Sequence, residues 1–317
     1  MSAEPAPPGV GVVRRLTAAD APAMADLATI CEIAETGEPD PEIVDWINAG
    51  AKREQFHAFG IDDTDGLVAF SYADCETGHI AFEAEVRVRP GQPLDLGLPL
   101  LQAAREAARS VDPAKPVHMF ANESAEAYRR WLQDRGAVEI RRFWRMAIEF
   151  DDTSPSVPEP ANGVTVRLAR DEEADLRTIF QITDTSFADH FGHTDERTYE
   201  KWIENWRARR GIDPSLWWVA ELDGQPVAVL LGMTFDVEGG DTYGHVGTLG
   251  TLKEARGKGI GTLLLRTAFA EFHRRGYRRV TLGVDSENTT NAVKLYESVG
   301  MHPAAVWPLY ELPPLVS

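Results

Sequence analysis

Apolar positions recur along the chain with two different periods, and these periods predict alternating strands and helices. Between Ala21 and Ala34 apolar residues return every three or four positions, which is the spacing of an amphipathic helix. In Arg279–Val284 apolar and polar residues alternate, which is typical of a strand. Residues 11–150 predict the order β-α-α-β-β-β-α-β-α-β, and the same order recurs after residue 163. This order is typical of a mixed sheet with helices on both faces.

A segment without hydrophobic periodicity separates the two copies of this pattern. Asp151–Gly163 is rich in proline, serine and acidic residues, as linkers are. The sequence therefore predicts a tail over residues 1–10, a first domain over 11–150, a linker over 151–163 and a second domain over 164–317. A repeat period of about 150 residues is too long for a solenoid and indicates tandem domains that arose by duplication.

One stretch of the second half, Thr248–Leu265, carries the clearest chemistry. It begins as a strand and continues as a glycine-rich turn and an apolar helix. Glycines let the backbone approach a ligand closely, and the free N–H groups at a helix N-terminus attract anions. The pattern predicts a phosphate-binding turn that contains Arg256, Gly257, Lys258, Gly259 and Gly261.

Two common phosphate-binding motifs do not match this turn. A P-loop requires Ser or Thr directly after its lysine, and here Lys258 is followed by Gly259. The dinucleotide fingerprint requires G-x-G-x-x-G, whereas this turn reads G-x-G-x-G. The pattern that remains, Arg256-x-x-Gly259-x-Gly261 after a strand, resembles the coenzyme A pyrophosphate loop of the GNAT N-acetyltransferase superfamily.

A second segment, Val284–Met301, extends the resemblance. Asn288 has the character of an N-cap, Ala292–Val299 reads as a short helix, and Gly300 follows it as a C′ residue. The segment is similar to the strand–Asn–helix–Leu-Tyr–Gly segment that follows the coenzyme loop in GNAT proteins. With two linked segments in the right order, the chain is identified as a member of this superfamily.

The resemblance implies the fold class and the cofactor. It implies an α/β (α+β) protein of two tandem GNAT domains, each a mixed, mostly antiparallel, twisted sheet with helices on both faces. The cofactor would be acetyl-CoA, with its pantetheine arm paired to the backbone at the end of a strand that Gly247 and Gly250 allow to bulge or splay. The predicted coenzyme-binding residues are Leu249, Gly250, Thr251, Arg256, Gly257, Lys258, Gly259, Ile260, Gly261, Thr262 and Asn288.

Three residues are candidates for proton transfer. The resemblance places Tyr296 beside the thioester sulfur, where a phenol can protonate the leaving thiolate. His245 lies eleven residues before Arg256, at the distance where the histone-type branch of the superfamily has a glutamate base. An imidazole can accept a proton from an ammonium group, so His245 is the predicted base. Glu221, on another predicted strand, is the alternative.

The acceptor is predicted to bind at the segment between the first two helices of the second half. Asp189 and His190 lie there, and acidic residues favour an ammonium group. The same segment contains H-x-x-H, formed by His190 and His193, together with Asp195 and Glu196. Because no further ligand pattern accompanies them, we predict no metal site.

The first half lacks the phosphate-binding pattern. A gapless alignment of Val88–Leu101 with Thr251–Leu264 places Pro93 opposite Arg256 and leucines opposite the glycines. It also places Asp95, a negative charge, where a phosphate would lie. The first half is therefore predicted not to bind coenzyme A.

Charge and composition limit the classes of partner that the chain is expected to bind. With 32 basic and 50 acidic residues, the formal net charge is −18, which argues against a nucleic-acid partner. The two cysteines do not form a disulfide framework, and neither a signal peptide nor a run of about 18 apolar residues is evident. We therefore expect a cytoplasmic protein with no membrane partner, as a monomer or a homodimer.

These observations lead to one functional prediction and two alternatives. The chain is predicted to be an acetyl-CoA-dependent N-acetyltransferase whose C-terminal domain transfers the acetyl group directly to a primary amine of a small molecule. Its two-half layout resembles that of the mycothiol synthase family, which implies a cysteinyl amine as one possible acceptor. A non-catalytic coenzyme A-binding sensor or interaction protein is the alternative outside enzymes.

Overall fold

The computed structural model describes residues 11–75, 79–194, 197–208, 211–235, 242–287 and 292–315. In the first half of the chain the elements are β1 (Arg14–Arg15), α1 (Ala21–Thr36), α2 (Pro41–Gly50), β2 (His57–Asp63), β3 (Gly66–Asp74), β4 (Phe82–Val88), α3 (Leu98–Val111), β5 (Val117–Phe120), α4 (Glu126–Gln133) and β6 (Val138–Glu149). In the second half they are β7 (Val164–Leu168), α5 (Glu173–Ser186), α6 (Tyr199–Ala208), β8 (Ile212–Leu222), β9 (Gln225–Phe235), β10 (Tyr243–Thr251), α7 (Ile260–Arg274), β11 (Arg279–Asp285), α8 (Ala292–Ser298) and β12 (His302–Glu311).

The chain divides into two compact units whose boundaries differ from the predicted ones. The first unit is Met1–Arg141 together with Trp307–Ser317, and the second is Arg142–Val306. Residues 143–149 of β6 pair with β11 and so belong to the second unit. Leu309–Glu311 of β12 pair with β5 and belong to the first. The periodicity of the sequence located these strands correctly but carries no information about which sheet they join.

The first unit has the predicted mixed sheet, with helices on both faces. Its strand order is β1-β2-β3-β4-β5, followed by the residues of β12 that belong to this unit. The β4–β5 pair is parallel and the other pairs are antiparallel. Helices α1 and α2 pack on one face, against Phe70 and Tyr72, and α3 and α4 pack on the other, against Val68 and Ala69.

The second unit repeats this architecture. Its strand order is β6-β11-β10-β9-β8-β7, in which β10 and β11 are parallel and the other pairs are antiparallel. Side chains alternate along β8, so that Trp217 and Val219 pack with α5 and α6, whereas Leu216 and Trp218 pack with α7 and α8. The predicted fold class is confirmed in both units.

Among the described residues, no helix combines the length and the apolar character that crossing a membrane demands.

Candidate active site

The site of the second unit begins where two parallel strands separate. β10 pairs with β11 over Gly244–Val246, opposite Val280–Leu282. Directly after Val246 the pairing of β10 with β9 shifts register, and it then continues to Thr251. The predicted bulge is therefore present, and it lies at Gly247. Beyond it, the edge of β10 that faces β11 is available to pair with a ligand.

The glycine-rich turn leads into α7 as predicted. Gly257 and Gly259 both have φ of +77°, a left-handed conformation that residues with a Cβ rarely adopt. Gly259 is the N-cap of α7, and the first helical hydrogen bond runs from Leu263 N–H to the Gly259 carbonyl, at 3.0 Å. The N–H groups of Ile260, Gly261 and Thr262 precede that bond, so the helix leaves them for an anion.

Arg256 fixes the position of this turn. Its Nε atom donates to the Thr251 carbonyl at 3.0 Å, and its Nη2 atom donates to the Ser186 carbonyl at 3.2 Å. The guanidinium thus ties the turn to the end of β10 and to the end of α5. Sequence analysis predicted positive charge at this residue, and the contacts show that it also holds the turn in place.

The open edge of β10 and the N-terminus of α7 line one cleft of about 340 Å³. Eleven of the residues predicted from sequence lie on its wall. They are His190, Leu249, Gly250, Thr251, Arg256, Gly257, Gly259, Ile260, Gly261, Thr262 and Tyr296. Lys258 instead lines a neighbouring cavity of about 270 Å³, next to Pro158, Glu159 and Ala161 of the linker.

Tyr296 reaches the cleft because α8 packs closely on α7. A Cβ on Gly261 would lie 3.0 Å from Leu295 Cδ2, so the glycine permits this approach. Tyr296 is 8% exposed, and burial raises the pKa of its phenol to about 12. A phenol with this pKa stays protonated at neutral pH, as a proton donor must.

His190 also lines the cleft, beyond the end of α5. Its ring packs edge-on against Phe187, with 4.5 Å between the ring centroids. Burial lowers the pKa of His190; Asp285 and Asp189 act against this and Arg256 adds to it. The imidazole is therefore neutral at physiological pH and can accept a proton. Asp189 is exposed and is not part of the cleft wall.

The two residues that sequence analysis named as bases lie elsewhere. His245 is 9% exposed, and its Nδ1 atom lies 2.9 Å from Thr281 Oγ1 on the neighbouring strand. Glu221 accepts a hydrogen bond from Arg167 Nε at 2.8 Å. Arg167 is also paired with Asp175, at 2.7 Å. Neither His245 nor Glu221 lines the cleft.

Some predicted residues lie outside the part of the chain that the structure describes. Asn288 is one of them, and so are Asp195 and Glu196 of the possible metal pattern. Among the described residues there is no cluster of three or more His, Cys, Asp or Glu side chains able to hold a metal ion.

Sequence analysis missed the contribution of the end of α5. Ser186 and Phe187 line the cleft, together with Ala292 and Leu295 of α8. The signal for Ser186 was Gly250, because a strand residue without a side chain allows a helix end to approach. The sequence does not indicate which helix that is.

The equivalent region of the first unit is filled by its own side chains. Arg87 of β4 is 9% exposed and is ion-paired with Glu32 and Glu35 of α1 and with Glu85. Asp95 accepts hydrogen bonds from the side chains of α4 and of the turn that follows it, Trp131 Nε1 at 2.9 Å among them. Where the second unit has glycines and free N–H groups, the first has paired charges.

The features of the second unit fit acetyl-CoA. The N-terminus of α7 offers unpaired N–H groups to a pyrophosphate, and the left-handed glycines keep side chains away from that position. The free edge of β10 offers backbone groups to an extended arm that carries amides.

Comparison with known proteins agrees with this fit. Residues 176–301 match the Acetyltransferase (GNAT) family. The chain is 31% identical over 267 residues to a mycothiol acetyltransferase of Cellulomonas flavigena, which covers 78% of this chain and 72% of that protein.

Two solved structures share the fold over nearly the whole chain. A GCN5-related N-acetyltransferase from Sphaerobacter thermophilus is 27% identical, with a TM-score of 0.77 and 98% of each chain covered. A tandem GNAT protein from the clavulanic acid biosynthesis pathway is 16% identical, with a TM-score of 0.74, and covers 97% of this chain and 100% of its own. The chain therefore belongs to the GNAT acetyltransferase family, as a tandem GNAT acyltransferase that uses acetyl-CoA.

Proposed function

We propose that the second unit holds the catalytic centre and transfers the acetyl group of acetyl-CoA directly to a primary amine of a small molecule. One observation carries this proposal: the N-terminus of α7, the free end of β10 and Tyr296 line the same cleft. Binding of the phosphates, alignment of the arm and protonation of the leaving group need these three elements together.

The residues that would hold the coenzyme follow from their backbone groups. The N–H groups of Ile260, Gly261 and Thr262 would bind the pyrophosphate, and the backbone of Leu249–Thr251 would pair with the pantetheine arm. Acetyl-CoA supplies an acetyl thioester, whose carbonyl carbon is open to attack by an amine. Arg256 keeps the turn and the strand end in register for both contacts.

Tyr296 and His190 would each carry out one of the two proton transfers. The buried phenol of Tyr296, with a pKa of about 12, donates its proton to the departing sulfur. The neutral imidazole of His190 accepts the proton of the ammonium group, directly or through a water molecule. We prefer His190 to His245 and Glu221 because it lines the cleft, whereas His245 contacts Thr281 and Glu221 is paired with Arg167.

The first unit would not bind coenzyme A. Arg87 and its carboxylate partners fill the space beside α1, and Asp95 presents a negative charge next to α3. Since a carboxylate repels phosphate, we infer that the role of this unit lies in stability or in selection of the acceptor.

The comparisons favour one class of acceptor within this proposal. The relative from Cellulomonas flavigena is a mycothiol acetyltransferase. So is a relative from Thermomonospora curvata, which is 30% identical over 259 residues. We therefore place a cysteinyl amine of a thiol precursor first among the primary amines. Asp189, exposed near His190, adds a negative charge that attracts an ammonium group.

Calorimetric titration with acetyl-CoA and an amine screen test the proposal together. We expect one binding site per chain, lost when Gly259 is replaced by a bulky residue. We also expect an N-acetyl product from cysteinyl amines, detected by chromatography because a thiol reagent would react with the acceptor itself. Two binding sites would contradict the assignment of the first unit, and binding without transfer to any amine would favour the sensor alternative.

A further inference from the structure

Ser186, the last residue of α5, has a buried hydroxyl group that the described structure leaves without a hydrogen bond. The residue is 7% exposed, and Ser186 Oγ has no partner among the described residues. A buried hydroxyl without a partner costs free energy. Ser186 also lines the coenzyme cleft, so a bound molecule can supply the missing partner.

The surroundings fix where this hydroxyl lies. A Cβ on Gly250 would be 3.3 Å from both Cβ and Oγ of Ser186, so the hydroxyl is beside the free end of β10. The Ser186 carbonyl accepts from Arg256 Nη2 at 3.2 Å, which links it to the glycine-rich turn. Ser186 is thus held beside the strand end that leads to the phosphate-binding turn.

Comparison with two other hydroxyl groups of α5 shows why the Ser186 hydroxyl is unusual. Thr178 Oγ1 donates to the Ala174 carbonyl at 2.9 Å, the bond that helical Ser and Thr residues commonly make to their own helix. Thr183 Oγ1, like Ser186 Oγ, is buried and has no partner within the described part of the chain, but Thr183 does not line the cleft. Only Ser186 of these three combines an unpartnered hydroxyl with a place on the cleft wall.

We propose that Ser186 Oγ hydrogen-bonds an amide group of the pantetheine arm of acetyl-CoA. The inference rests on the proposed function, because it requires the coenzyme to occupy this cleft. An arm that extends from the N-terminus of α7 along Leu249–Thr251 passes Ser186, and its amides can both donate to and accept from a hydroxyl. Ser186 is then a positioning residue that helps to set how deeply the thioester enters.

Calorimetric titration of the full chain tests this without measuring turnover. Ser186→Ala should weaken binding of coenzyme A and of acetyl-CoA equally, by about threefold to tenfold, since one hydrogen bond is lost. Adenosine 3′,5′-bisphosphate, which lacks the arm, should bind Ser186→Ala as it binds the unmodified chain. The matched control Thr183→Val removes the other unpartnered hydroxyl of α5 and should leave all three affinities unchanged.

The thermal midpoint without ligand provides a second measurement. Because Ser186 Oγ has no partner among the residues that the structure describes, Ser186→Ala should leave the midpoint unchanged or raise it slightly. Unchanged coenzyme affinity in Ser186→Ala would overturn the inference, as would weaker binding of the bisphosphate or a midpoint lowered by several degrees. Failure of the unmodified chain to bind acetyl-CoA would instead overturn the proposed function, and this inference with it.

Discussion

His245 Nδ1 lies 2.9 Å from Thr281 Oγ1, and the two residues face each other in the register of the parallel strands β10 and β11. Both are buried, at 9% and 1% exposure. The contact ties His245 to the part of the sheet where the strands are still paired. This distinguishes His245 from His190, which lines the cleft.

We therefore predict different consequences of replacing these two histidines. His190→Asn should remove the low-pH limb of the kcat/KM profile, because protonation of a base with a pKa below its usual range stops it from accepting a proton. We expect a loss of about 10²-fold at neutral pH. His245→Asn should keep that limb and lower the thermal midpoint. A profile whose limb disappears only in His245→Asn would show that His245 is the base.

Replacing Tyr296 by Phe should slow chemistry without weakening coenzyme binding. The phenol is the proposed proton donor, so we expect kcat to fall by about 10²-fold to 10³-fold while the dissociation constant of acetyl-CoA stays within about twofold. Steady-state rates and calorimetry measure the two effects. Tyr277→Phe is the matched control, because Tyr277 packs against Phe272 outside the cleft. Equal losses in both variants would contradict the assignment.

Replacing each of two left-handed glycines by alanine distinguishes the effect of backbone strain from an effect on ligand binding. Gly259→Ala and Gly276→Ala place a Cβ at φ of +77° and +94°, with open space around each, so each should cost about 1 kcal/mol of stability. Gly259 lies at the start of α7 in the cleft, so only its variant should weaken coenzyme binding, by about tenfold or more. Denaturant unfolding and calorimetry are the measurements. A similar loss of affinity in Gly276→Ala would mean that strain alone is responsible.

The ion-paired cluster of the first unit should make stability depend on pH. Burial raises the pKa of Glu32 to about 7, with Arg87 acting against it. The folded chain then holds a proton that the unfolded chain releases, so this contribution to stability is complete below about 4.5 and is lost as the pH rises through 7.

Glu32→Gln tests this dependence, because glutamine does not titrate. Relative to Glu32→Gln, the unmodified chain should lose on the order of 5 °C in thermal midpoint when the pH is raised from 5 to 8. Calorimetric melting at the two values measures it. A difference that does not change with pH would show that Glu32 is ionised throughout.

Local pattern was sufficient to predict most of the fold and the coenzyme loop. The glycine-rich turn from Gly257 to Gly261 and the bulge at Gly247 follow from residues adjacent in sequence, whereas the resemblance to the GNAT superfamily implied the position of Tyr296. The turn and the bulge depend on dihedral preferences and helix starts, which neighbouring residues determine. The fold class follows from the periodicity and from the resemblance to the GNAT superfamily, which also implied the use of acetyl-CoA, and both predictions are confirmed.

Contacts between segments that are distant in the sequence could not be predicted from it. Ser186 lies 64 positions before Gly250, and only the folded chain brings them together. The spacing along the strand predicts His245 as a base, but it could not predict that Thr281, from another strand, contacts its Nδ1 atom. Strand alternation gives the orientation of a side chain relative to the sheet and not the residue that it meets.

The pairing of β6 with β11 and of β12 with β5 bears on whether either half of the chain can fold alone. A chain cut after residue 150 would deprive the first unit of Leu309–Glu311 and the second of residues 143–149, and each would expose an unpaired strand edge prone to aggregation. We therefore expect that neither half of the chain folds as a self-sufficient module when it is expressed alone.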